Sequence, residues 1–170
     1  MTVNEWVELI QRQGGVCTDY MRKLKAVTNK TEMFRVLCDV NGGEWLFDLH
    51  AKGVKIPIDS FLKEFTNYVN GKKVVDYPSG YTSKFYCRPD ETEIVADTTL
   101  VYLLECKGVR VIVPMNHYPT IILSNDTVAE ILMNNGSRIN IEAYGDAKYT
   151  YRDERDGIEF ASRRVRVTQH

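Results

Sequence analysis

Cys38 and His50 are the first pair to weigh for chemistry, because a thiol beside an imidazole is the minimum for nucleophilic catalysis. Both fall in helical stretches of the first half of the chain, where two helices could bring them together. Cys38 follows Leu37 in an apolar run, however, and cysteine is among the most commonly buried residues, so a core thiol is the better reading. Cys17 lies beside Gly14-Gly15 near a helix start, where a thiol becomes more acidic, but no histidine is near it in sequence. His117 sits in a turn between Pro114 and Pro119, and His170 is the last residue. With no H-x-H or H-x-x-x-H spacing and no CxxC pair among Cys17, Cys38, Cys87 and Cys106, no metal or cofactor is expected.

Carboxylates offer two further possibilities. Asp153-Glu154-Arg155-Asp156 has the acidity of a calcium loop but lacks the alternating ligand pattern, and Arg152 and Arg155 neutralise it. A solvated turn accounts for it better. Asp90, Glu91 and Glu93 could supply a carboxylate pair for glycoside chemistry. Gly14-Gly15 and Gly42-Gly43 follow helices, whereas a phosphate-cradling loop follows a strand and opens a helix.

What remains is display. Tyr144, Tyr149 and Tyr151 cluster late in the chain, after Tyr81, Tyr86, Tyr102 and Tyr118. Tyrosine joins an apolar ring to a polar tip and suits interfaces, although it also favours strands for structural reasons. Near the end Arg163 precedes Arg164 and Arg166, which alternate with Val165 and Val167, a pattern that suits a sheet edge protected by charge. These six residues, Tyr144, Tyr149, Tyr151, Arg163, Arg164 and Arg166, are the candidate interface.

Two different periods must position them. Thr2 with Glu5 forms a capping box ahead of Val3, Trp6, Val7 and Ile10, which share one helical face. Gly14-Gly15 ends that helix. A second helix is expected from Cys17 to Val27, and a third behind the Asn29/Glu32 box, carrying Met33, Val36, Leu37 and Val40. A short fourth covers Glu44 to Ala51, and a fifth runs from about Asp59 to Gly71 with Phe61, Leu62, Phe65, Tyr68 and Val69 on one stripe.

Past Gly71 the period becomes 2. Tyr81 to Cys87 and Thr98 to Cys106 read as strands, and turn residues then recur at Lys107-Gly108, Asn116-His117, Asn125-Asp126, Asn135-Gly136, Gly145-Asp146 and Asp156-Gly157. Val109, Val128 and Ala147 recur at intervals of 19, while Ile121, Ile139 and Ile158, like Leu123, Ile141 and Phe160, recur at 18 and 19. Arg138, Asn140 and Glu142 fill the opposite face. A unit of two strands repeated this way favours a β-solenoid over an antiparallel meander of hairpins, which would show the same alternation.

The segments Gly43-Glu44-Trp45-Leu46 and Ala143-Tyr144-Gly145-Asp146-Ala147 carry a resemblance. The chain resembles small proteins of gut Bacteroidales and their phages that join a helical module to short repeats of the Ala-Tyr-Gly-x-Ala kind. It departs from that pattern where Ser124-Asn125-Asp126 and Asn134-Asn135-Gly136 replace the tyrosine-glycine turn. The resemblance implies a phage or mobile-element origin, a non-catalytic role and a place in or on a virion.

Composition sets the outer bounds. The 170 residues are 44% hydrophobic and 26% charged, which excludes a disordered or collagenous chain. A net charge of -1 removes the basic excess expected of a nucleic-acid binder. No run approaches the roughly 18 apolar residues of a membrane span, and the start Met1-Thr2-Val3-Asn4-Glu5 is no secretion signal, so synthesis in a reducing cytoplasm is expected.

The expected fold is α+β: a small helical bundle over residues 1–72, a short hinge between separately cored halves, and a repetitive all-β domain over 78–170. The expected function is non-enzymatic binding or assembly with a protein partner or another copy. The alternatives are a carbohydrate-active or carbohydrate-binding β domain and a small inhibitor of a host enzyme or defence system.

Overall fold

The computed structural model describes residues 2–13, 18–39, 49–50, 53, 58–64, 66–76, 80–124, 126–154 and 164–170. It has a short helical region followed by a mostly β domain of solenoid-like stacking. The helices are α1 (Val3–Gln13), α2 (Thr18–Lys25), α3 (Lys30–Asp39) and α4 (Ile58–Glu64). The first begins at the expected box: Thr2 N–H donates to Glu5 Oε2 at 2.6 Å, and Glu5 N–H donates to Thr2 Oγ1 at 3.3 Å. At α3 the box is shifted. Glu32 N–H donates to Asn29 Oδ1 at 2.9 Å, but the Glu32 carboxylate accepts from Thr28 instead of returning to Asn29.

The fifth expected helix is shorter than its apolar stripe. It ends at Glu64, and Val69 leaves the helical path to bridge Phe85 in parallel. Asn70 and Gly71 then take positive φ (59° and 67°), which turns the chain along the sheet edge. The expected fourth helix lies outside the described residues except at Leu49 and His50, which are helical.

Among the described residues the strands that follow are β1 (Val75–Asp76), β2 (Thr82–Cys87), β3 (Glu93–Val95), β4 (Leu100–Leu104), β5 (Lys107–Val113), β6 (Thr120–Leu123), β7 (Val128–Met133), β8 (Ile139–Ala143), β9 (Lys148–Asp153) and β10 (Val165–Gln169). They form a six-stranded sheet ordered β1-β2-β4-β6-β8-β10 and a four-stranded sheet ordered β3-β5-β7-β9. Every other strand returns to the same sheet. Apart from β1 with β2, all pairs are parallel, so the hairpin meander is excluded and the solenoid stands.

The register corrects the expected repeat. Ile121 pairs with Ile141, Leu123 with Ala143 and Val109 with Ala129, an interval of 20 residues. The 18-residue spacing of Ile121 and Ile139 kept the correct face, because a slip of two preserves the pleat. The 19-residue spacing of Val109 and Val128 did not: Val109 is buried, whereas Val128 stands 44% exposed on the opposite face. A bulge between Lys107 and Val109, with Gly108 at φ 73°, makes the interval 21 on its leading side, where Lys107 pairs with Val128, and 20 beyond it. Earlier coils are shorter, with Ser83 on Leu100 and Glu93 on Arg110 at intervals of 17.

Burial follows from how many faces each sheet covers. Between the sheets lies an apolar layer including Val101, Leu103, Val111, Ile121, Leu123, Ile131 and Ile141. The other face of the six-stranded sheet carries Phe85, Cys87, Tyr102, Leu104 and Ile122, in one cluster with Trp6, Val7, Ile10, Tyr20, Leu24 and Met33 of the helices. Covered on both sides, β4 reads Leu-Val-Tyr-Leu-Leu without polar alternation. Apolar residues of the helices and of the six-stranded sheet thus lie in one buried cluster that spans the expected boundary at Gly71.

Candidate functional site

The outer face of the four-stranded sheet bears the only charged ladder to cross three of its strands among the described residues. Strands β5 and β7 alternate, turning Val109, Val111, Ala129 and Ile131 inward and Arg110 and Glu130 outward. Arg110 and Glu130 are register partners. Arg110 Nε donates to Glu130 Oε2 and Arg152 Nε donates to Glu130 Oε1, both at 3.2 Å. These bonds, that of Arg152 foremost, hold the Glu130 carboxyl below its usual range. Beside the ladder runs an open groove of about 440 Å³, walled by Glu93, Arg110, Glu130 and Thr150 on one side and Val128 and Lys148 on the other. Gly108 leaves its floor bare, since a Cβ there would meet nothing within 4 Å. Val95 and Val128 add exposed apolar surface to the same face.

A second cluster joins the helical region to a corner of the solenoid. Arg88 and Glu105 take the same left-handed corner position in successive coils, at φ 44° and 50°. Arg88 Nε donates to Glu105 Oε2 at 2.5 Å and its NH1 group donates to Asp59 of α4 at 2.6 Å. His50 Nε2 lies 3.3 Å from Glu105 Oε1. Burial opposes charge on Glu105, but Arg88 and then His50 outweigh it, and the carboxyl stays below its ordinary range. His50 thus meets a carboxylate; the side chain of Cys38 lies outside the described residues, as does Cys17. Cys87 and Cys106 are buried free thiols, pushed up to about 12 mainly by burial.

The six interface candidates divide. Tyr144 is 7% exposed and its ring stacks on His170 at 4.4 Å, so it is packed and not displayed. Tyr149 and Tyr151 close the inter-sheet layer at the last coil and are partly covered. Arg164 donates to Asp153, whose side chain is 1% exposed, and to Ser137 O, which makes it an internal tie. Arg166 is exposed in register with Asn140, and Arg163 lies outside the described residues. Asp153, weighed above within a calcium-like run, is committed to Arg164. Glu93, weighed as a glycosidase carboxylate, stands in register with Arg110 at the groove.

Reading by residue type alone missed the Arg110–Glu130–Arg152 ladder and the Arg88–Glu105 corner. The signal that finds them is opposite charge at the coil length, 20 to 22 residues on β5 to β9 and 17 at the corner. No protein-family model, no curated protein and no solved structure matches the chain.

Proposed function

We propose that the protein is a non-enzymatic binding and assembly module in which the solenoid is a rigid scaffold and the outer face of the four-stranded sheet takes the partner. One observation carries this reading: the two broad faces of the solenoid are treated differently. One face of the six-stranded sheet is buried under helices, whereas the outer face of the four-stranded sheet exposes Val95 and Val128 and buries only Leu132 at its far end. On that face Arg110 and Arg152 are both paired with Glu130, while Val95 and Val128 are 43% and 44% exposed. A partner covering it desolvates few unpaired charges and gains apolar contact. In this reading the N-terminal helices act as a small bundle that closes the other face. The resemblance to proteins of gut Bacteroidales and their phages supports a structural or accessory part in such a system.

A glycan is the second reading, favoured by the groove above Gly108, where bare backbone lies between Glu93, Arg110, Thr150 and Lys148. Affinity capture from the native source, in parallel with a glycan array, separates the two. The probes are the parent chain and a Val95→Asp/Val128→Asp variant of equal melting temperature. The parent is expected to retain a protein that the variant loses. Equal capture by both moves the partner elsewhere, and array binding by the parent alone favours the glycan.

A further inference from the structure

The last strand carries information about self-association that is independent of what the four-stranded sheet binds. Ile139 N–H donates to Arg164 O at 3.0 Å, and His170 N–H donates to Ala143 O at 2.9 Å. In a parallel ladder these two bonds fix the phase of the whole strand: the even-numbered residues of β10 face β8. Val165, Val167 and Gln169 therefore direct their N–H and C=O groups to the opposite edge. Among the described residues no strand pairs with that edge. An open edge of this kind is a template for another strand.

Side chains on the edge match the backbone. Val165 and Val167 are in register with Ile139 and Ile141 and so continue the inter-sheet layer. Ile141 is fully buried, yet Val167 is 42% exposed, so the apolar layer runs out to solvent one strand too late. Arg166 and Thr168 occupy the other face, in register with Asn140 and Glu142. The opposite edge of the six-stranded sheet is formed by β1, only two residues long. There β1 pairs with β2, Gly71 N–H donates to Phe85 O at 3.2 Å, and Asn70 Oδ1 accepts from Cys87 N–H at 2.9 Å. So short an edge strand offers little to a head-to-tail partner, whereas β10 offers five residues.

We propose that β10 is a homodimer edge, pairing antiparallel with β10 of a second copy about a two-fold axis at Val167. In this register Val167 faces the partner's Val167, and Val165 faces the partner's Gln169. Each facing pair exchanges two bonds, about six N–H···O bonds in all. Arg166 lies opposite the partner's Thr168, so no like charges face each other, and the exposed Val167 side chains bury against one another. Registers centred on Arg166 would set the two arginines face to face. The sequence of the edge thus favours a single isologous pairing, which closes as a dimer and does not propagate.

Sedimentation equilibrium on the full chain at about 50 µM tests this. The expected mass is twice the 19.6 kDa of one chain. Val167→Pro removes an N–H that points away from β8, so it spares the internal ladder and is expected to give a folded monomer. Thr168→Arg, at an exposed position, sets arginines opposite each other and is expected to weaken dimerisation by about tenfold. Amide exchange at Val165, Val167 and Gln169 is expected to slow with increasing protein concentration, even if the proline variant fails to fold. A monomeric parent chain overturns the proposal, as does a dimer indifferent to Thr168→Arg or a mass that grows without limit.

Discussion

Arg164, at the entrance to β10, donates to the Asp153 carboxylate at the end of β9, so one ion pair ties the last strands of the two sheets together. Asp153 is almost completely buried while Arg164 keeps a fifth of its side chain in solvent. Removing the arginine takes a charged donor from an almost fully buried carboxylate. Arg164→Ala is therefore expected to lower stability by about 3 kcal/mol, whereas Arg164→Met with Asp153→Leu recovers most of the loss. Urea denaturation of the three proteins checks this. A single variant as stable as the parent would remove the tie from the account.

A pH dependence follows from Glu105. Its carboxyl titrates lower in the folded chain than in the unfolded one, because Arg88 and His50 outweigh the cost of burial. The unfolded state consequently binds its proton first. The stabilisation is complete above the ordinary carboxylate pKa of about 4.3 and disappears as the pH falls through the lower folded value. Glu105→Gln is expected to be less stable than the parent at neutral pH, with the gap narrowing on acidification below about pH 4. Urea midpoints measured across the acid range provide the comparison, and a gap independent of pH contradicts the assignment.

How much of this was legible in the sequence depends on which physical signal is asked. Face was legible: alternation along Val109 to Val113 and its absence along Leu100 to Leu104 distinguish a sheet covered on one side from one covered on both. Register was not, because apolar identity says which face a residue takes and nothing about which coil-mate it meets. The bulge at Gly108 and corners of unequal length then shift the spacing between 17 and 21 from β2 to β7. Of the display residues, Tyr144 and Arg164 are packed against the protein for a related reason. Both sit next to corners, where a turn sends the side chain back into the protein, and alternation no longer predicts direction.

The thiols supply a chemical prediction. Cys87 is 2% exposed and Cys106 fully buried, and burial raises both to about 12. Thiolate is the reactive form, so neither is expected to alkylate with iodoacetamide at about pH 8 in the native protein. Both become reactive on denaturation. Peptide mass spectrometry resolves the sites individually, and rapid native labelling of either would show that its corner of the solenoid opens to solvent.

Gly136 and Asn116 share a corner one coil apart, and a Cβ on Gly136 would overlap Asn116 Oδ1. Gly136 also has φ 73°, where an L side chain is strained even in open space. Gly136→Ala is expected to destabilise by about 1–3 kcal/mol. In an Asn116→Ala background the overlap is gone and only the backbone strain remains, so the same change should cost less. A double-mutant cycle isolates the difference. Additive effects would mean that the stacked corners do not touch.

The shared core makes the most general prediction. Trp6 of α1 is fully buried in the cluster that contains Phe85 and Tyr102, which stack at 5.3 Å on the six-stranded sheet. If the helices and the sheet bury each other, Trp6→Ala removes packing from both and is expected to cost about 3–5 kcal/mol. Thermal unfolding followed by circular dichroism at helical and strand wavelengths should give coincident transitions in the parent and in the variant, both moved to lower temperature. The change of period near Gly71 would then mark a change of element and not a mechanical hinge. Two separated transitions, with only the helical one sensitive to Trp6→Ala, would show that the solenoid keeps its fold without the helices and that the contact between them is a docking interface.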